Sequence, residues 1–102
     1  MPDVIAERTL ELTLASGTQE GIRVRVWAPE YSPALRSWVA DVEVAGAGHN
    51  HKTHGTGIDA FQALYSALFL IPVMLAHYAE DGRLSWFNEE WLGFPEIKLT
   101  EP

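Results

Sequence analysis

The residues of this 102-residue chain best placed to do chemistry are three histidines in the pattern His49-x-His51-x-x-His54. Imidazoles this close in sequence could present three nitrogens to Zn²⁺, Ni²⁺ or Cu²⁺ and leave a fourth position for water. They lie in Gly46–Gly57, which holds four of the eight glycines and three of the four histidines, and this composition predicts a flexible loop. A loop orients ligands poorly, and a catalytic metal needs supporting groups that hold each ring. The spacing also matches no standard zinc signature. The segment therefore reads first as a solvated loop, and second as a site for zinc or nickel.

Other catalytic patterns are weaker. There is no Gly-x-Ser-x-Gly, and Ser66 and His77 would stand about 16 Å apart along a helix. The paired acids Glu80-Asp81 and Glu89-Glu90 fall at a helix end and in a polar turn, where solvated carboxylates are the rule. Glu89, Glu90 and Trp91 together form an acidic and aromatic cluster suited to a basic protein partner. The glycines carry no phosphate-binding fingerprint. With no cysteine, thiolate sites and disulfides are excluded. These features lean away from an enzyme.

The elements that must position these groups follow from periodicity. Apolar residues alternate at Leu10, Leu12 and Leu14, at Ile22, Val24 and Val26, and at Trp38, Ala40, Val42 and Val44, predicting three antiparallel strands. Their other face would carry Glu11, Arg23, Arg25, Asp41 and Glu43 as exposed charge pairs. Pro29 and Pro33 bracket a connection. Asp59 is a fitting N-cap for a helix running to about Ala79, and Arg83–Phe87 could add a fourth strand. The expected fold class is α+β: a meander of three to four strands with one long helix, kinked at Pro72, across one face, in a single domain over residues 1–102.

Ala60–Ala79 contains no charged residue. Its length suits a membrane span, but acidic flanks and a half-buried sheet argue against one. On a helical wheel Phe61, Leu64, Tyr65, Leu68, Pro72, Leu75 and Ala79 share a broad face. The sheet alone cannot cover so apolar a helix. The aromatic tail (Trp86, Phe87, Trp91, Phe94) or a second copy in a homodimer must complete the cover. A pocket between helix, sheet and tail would involve Tyr65, Pro72 and Trp86.

Composition bounds the rest. Fourteen acids against seven Lys+Arg give a net charge of −7, with 47% apolar and 11% aromatic residues. That is too apolar for a disordered tail and too acidic for unaided nucleic-acid binding. An acidic start without an apolar run suggests no secretory signal and a cytoplasmic location. Ile5-Ala6-Glu7-Arg8, Trp27-Ala28-Pro29, Gly57–Leu64 and Leu92-Gly93-Phe94-Pro95 resemble a family of small uncharacterised bacterial domains of roughly 100 residues. The resemblance implies an α+β domain and supplies no catalytic residue. The expected role is a non-catalytic, immunity- or antitoxin-like interaction module. The alternatives are a metal-binding protein using His49, His51 and His54, and a small-molecule binder.

Overall fold

The alternation of apolar residues is realised as strands in a computed structural model that describes residues 2–94. The elements are β1 (Val4–Leu14), β2 (Gln19–Trp27), β3 (Glu30–Ser32), β4 (Ser37–Gly46), β5 (His49–Gly57), α1 (Ala60–Leu75) and β6 (Gly82–Ser85). A 3₁₀ turn, Ala76–Glu80, continues α1 towards β6. The fold is α+β, with six antiparallel strands in one sheet and the helix packed against it. Six exceeds the three to four expected. The additions are β5, expected as a loop, and β3, a short ladder inside the connection between Pro29 and Pro33.

β5 pairs along β4 from Trp38 to Gly46, so β2 and β3 share the opposite edge of β4. β1 lies beyond β2, and β6 returns to the far side of β1 at Glu11–Leu14. α1 thus carries the chain from one margin of the sheet back to the other. The inner face is formed by Leu10, Leu12, Ile22, Val24, Val26, Ala40, Val42 and Val44, all buried. On the outer face, register sets Glu7 opposite Arg25, Arg25 opposite Glu43, and Glu43 opposite Lys52. Signs alternate across four strands. Arg25 donates twice to Glu43, whose residue is only 8% exposed, and Asn50 donates to its other oxygen. The Arg25 hydrogen bonds outweigh burial and hold the Glu43 carboxyl below the usual carboxylate range.

α1 begins as the sequence predicts. Asp59 accepts from the Gln62 backbone N–H at 2.8 Å, and the Gln62 side chain accepts from Ile58 N–H at 2.7 Å. One free N–H of the first turn, and the N–H of the residue just before the cap, are so satisfied. The α-helix runs on through Pro72 and gives way to the 3₁₀ turn at Ala76, so it is not interrupted at Pro72. Ala60–Glu80 is long and apolar enough to cross a membrane by length and composition alone.

The face turned to the core is only in part the expected one: Leu75 is buried and Leu64 and Leu68 pack against the core, but Phe61 and Tyr65 do not. Ala63, Ala67 and Ile71 are fully buried, with Met74, Leu75 and Tyr78 below them, whereas Phe61 is 85% and Tyr65 63% exposed. The cause lies in β5. A Cβ on Gly57 would stand 2.5 Å from the Ala63 nitrogen, and one on Gly55 would stand 2.6 Å from the Ala63 carbonyl oxygen and also strike the Ala67 nitrogen. The helix backbone rests directly on two side-chain-free strand positions, and only alanines fit the gap. Large aromatics cannot enter so close a seam and turn outward.

Candidate functional site

β5 decides the fate of the histidine cluster. Strand alternation places His51 on the inner face, opposite Val44, and His54 on the outer face, opposite Asp41. The predicted set His49, His51 and His54 therefore cannot converge on one ion, because a strand, unlike the expected loop, sends position 54 to the other side. His51 instead stacks on His77 at 4.8 Å between ring centroids and faces His49 at 6.0 Å. Tyr78 stands edge-on to both His49 and His51, and His49 Nε2 lies 3.7 Å from an Asp81 carboxylate oxygen. Stacked rings direct their nitrogens in parallel planes. Among the described residues no group of three or more His, Cys, Asp or Glu is placed to hold a metal. His51 Nε2 is buried without a hydrogen-bond partner.

Tyr78 closes this end of the core. Its hydroxyl donates to the Gly46 carbonyl at 3.1 Å, joining the 3₁₀ turn to the β4–β5 turn. Burial, with the Asp81 charge adding to it, pushes the phenol above its ordinary pKa. Sequence reasoning missed His77, Tyr78 and Asp81 as neighbours of the histidine segment. Their spacing on the helix end is visible in the sequence, but nothing local pairs that end with a strand.

The second cluster centres on Arg8, also unassigned from sequence. Arg8 lies opposite Val24 on the inner face of β1, where a charge needs partners. Its Nη1 donates to the carbonyls of Leu92 and Gly93 at 2.9 and 3.0 Å. The guanidinium carbon stands 3.9 Å from the Trp86 ring centroid and 4.7 Å from that of Phe94. Two segments that carried the family resemblance, Ile5–Arg8 and Leu92–Phe94, thus meet in space; Pro95 lies outside the described residues.

The predicted pocket residues separate. Pro72 lines an apolar cavity of about 240 Å³ with Leu75, Ala79, Leu84, Leu92 and Phe94. Tyr65 points away on the exposed helix face, and Trp86 lies across Arg8. A further cavity of about 210 Å³ on the other side of Phe94 is lined by Ala6, Arg8, Val24, Val26, Leu68 and Ile71. The tail therefore covers the inner face beside the helix, not the outer helix face. Glu89, Glu90 and Trp91 are exposed, Trp91 at 62%, next to a turn that displays Phe87 at 82%. In that turn Trp86 and Glu89 exchange both backbone hydrogen bonds across Phe87 and Asn88, whose φ angles are +50° and +64°.

On the outer side of α1, Ile58, Phe61, Tyr65 and Val73 are 88, 85, 63 and 58% exposed. The Tyr65 and Phe69 rings touch at 4.6 Å between centroids. Spacing near four residues makes this one ridge about 18 Å long from Phe61 to Val73.

The fold defines a class: a single antiparallel sheet bearing one helix and a tail clamped by an inward arginine. Residues 6–96 match a family described as Domain of unknown function (DUF6968), and the chain belongs to that family. No curated protein and no solved structure matches the sequence.

Proposed function

We propose that this domain is a non-catalytic protein-interaction module, immunity- or antitoxin-like in kind, which pairs with a second copy of itself through the outer face of α1. The observation that carries the proposal is the uncovered ridge of Ile58, Phe61, Tyr65 and Val73. Its exposed area is roughly 500 Å² per copy, so a two-fold pairing would bury about 1,000 Å² in total, the level at which a specific interface becomes sustainable. A chain of net charge −7 repels its own copies over most of its surface, and the charge-free stretch Ala60–Ala79 is where that repulsion is weakest. The acidic and aromatic surface of Glu89, Glu90 and Trp91 would then face a basic protein partner. The cavity beside Pro72 offers less support for a small-molecule role. Its volume of about 240 Å³ lies under the usual 300–1,000 Å³, and Glu90 is its one charged lining residue.

Sedimentation velocity across the micromolar range tests the pairing. The wild type is expected to be dimeric and Phe61→Asp monomeric, with unchanged far-UV circular dichroism because Phe61 is 85% exposed. A wild type that stays monomeric throughout, or that floats with lipid vesicles instead of self-associating, would overturn it.

A further inference from the structure

The seat of the tail is built like a peptide site. Arg8 reads two successive main-chain carbonyls, Leu92 O and Gly93 O, while its guanidinium lies against Trp86 and Phe94. The fit is specific at Gly93, which has φ +77° and where a Cβ would stand 2.6 Å from Arg8 Nη1 and 2.7 Å from the Trp86 ring. Apolar grooves of about 240 and 210 Å³ flank the seat on either side of Phe94. The tail reaches it through the two-residue turn Phe87-Asn88, and Phe87 holds a left-handed conformation that a bulky residue disfavours about ten-fold or more. Opening that turn releases the strain, and a strained short hinge beside a complementary seat favours exchange between chains.

The geometry points to the Arg8 groove as a peptide-binding site that accepts the Glu89–Phe94 segment of a second copy in exchange for its own. Recognition rests on the paired carbonyls, the side-chain-free position 93 and the aromatic ring at 94. The exchange uses no residue of the α1 ridge, and while a chain's own tail holds its seat at high effective concentration the exchanged form stays minor, so Phe61→Asp alone remains monomeric.

Complementation between two defective full-length chains tests it. Arg8→Ala loses the seat but keeps a native tail, and Gly93→Ala keeps the seat but carries a tail that no longer fits. Both are made in a Phe61→Asp background, so that association through the helix face does not contribute. Each chain alone is expected to be monomeric, and an equimolar mixture is expected to give a one-to-one heterodimer by sedimentation. A Phe94→Ala chain serves as a second tail-defective partner if Gly93→Ala fails the circular dichroism check for folding. In a parallel titration, a fluorescein-labelled Glu-Glu-Trp-Leu-Gly-Phe peptide should bind Gly93→Ala at least ten-fold more tightly than the wild type, whose own tail competes at high effective concentration. Adding Arg8→Ala to Gly93→Ala should abolish the gain. A mixture that sediments as two monomers, or equal peptide affinity for folded tail-defective and wild-type chains, would overturn the proposal, while leaving the dimer of the Phe61-containing chain to stand or fall separately.

Discussion

Replacing Gly55 by alanine should lower stability far more than the same change at Gly21, although both glycines lie in strands. At Gly55 the new methyl would stand 2.6 Å from the Ala63 carbonyl oxygen and 2.8 Å from Ala67 Cα, with the Ala67 nitrogen closer still. Ordinary contact begins at 3.4 Å, so the Ala63 clash alone requires the helix to lift by about 0.8 Å. All three obstacles belong to the helix backbone or its first carbon, and none can rotate away. Lifting the helix loosens Ala63, Ala67 and Ile71, which are fully buried. Overpacking of this kind costs about 1–3 kcal/mol, and the backbone obstacles put Gly55 towards the top of that range. Against it stands a gain of about 0.5–1 kcal/mol from removing glycine's freedom in the unfolded chain. The net loss is roughly 2 kcal/mol. At Gly21 the nearest neighbour is Thr9 Cγ2 at 3.7 Å, so only the gain remains. In urea titrations followed by tryptophan fluorescence, Gly55→Ala should lower the midpoint by roughly 1–2 M at an m-value of about 1–2 kcal/mol/M, and Gly21→Ala should leave or slightly raise it. Equal midpoints for the two variants would refute the close seam between α1 and β5.

Two further outcomes concern titration. The Glu43 carboxyl is held low in the fold, so its contribution to stability is fully present above the unfolded carboxylate range and is lost as pH falls through its folded value. Thermal melts should therefore fall more steeply on acidification below about pH 5 in the wild type than in Glu43→Gln, which should start less stable at neutral pH because Arg25 loses its partner. The Tyr78 phenol is raised, so its contribution is fully present below the unfolded phenol range and declines as pH rises past about 10. Tyr78→Phe should lose about 1 kcal/mol at neutral pH with the bond to Gly46 O, and should show a shallower alkaline loss in urea titrations.

Legibility varied with how far each element's conformation depends on its neighbours. β1, β2 and β4 alternate large apolar residues against polar ones, so the period alone locates them and predicts which charges share the outer face. The Asp59 cap was equally local. β5 was not legible as a strand, because His-Asn-His-Lys-Thr-His-Gly-Thr-Gly has few strand formers, and its pairing with β4 and the helix above it hold it extended. Its signal was relational: Gly55 and Gly57 two apart, answered by Ala63 and Ala67 four apart, are the spacings of a strand and a helix meeting backbone to backbone. The same relation explains why a wheel weighted by side-chain size chose Phe61 and Tyr65 as the covered face. The need for cover beyond the sheet was legible; how it is divided, with the tail taking one flank and the outer ridge left open, depended on Arg8 turning inward.

The path of the chain through the sheet also sets an order of events during synthesis. β1 emerges first, and its neighbour on one side, β2, follows after a four-residue turn, yet its neighbour on the other side, β6, starts only at Gly82. Leu12 must wait for Leu84, its cross-strand partner on β6, before the far margin of the core closes. Local hairpins assemble early and the long-range closure comes last, so a nascent chain carries an open apolar margin until Gly82–Ser85 is made. Until then that margin has reason to be attended.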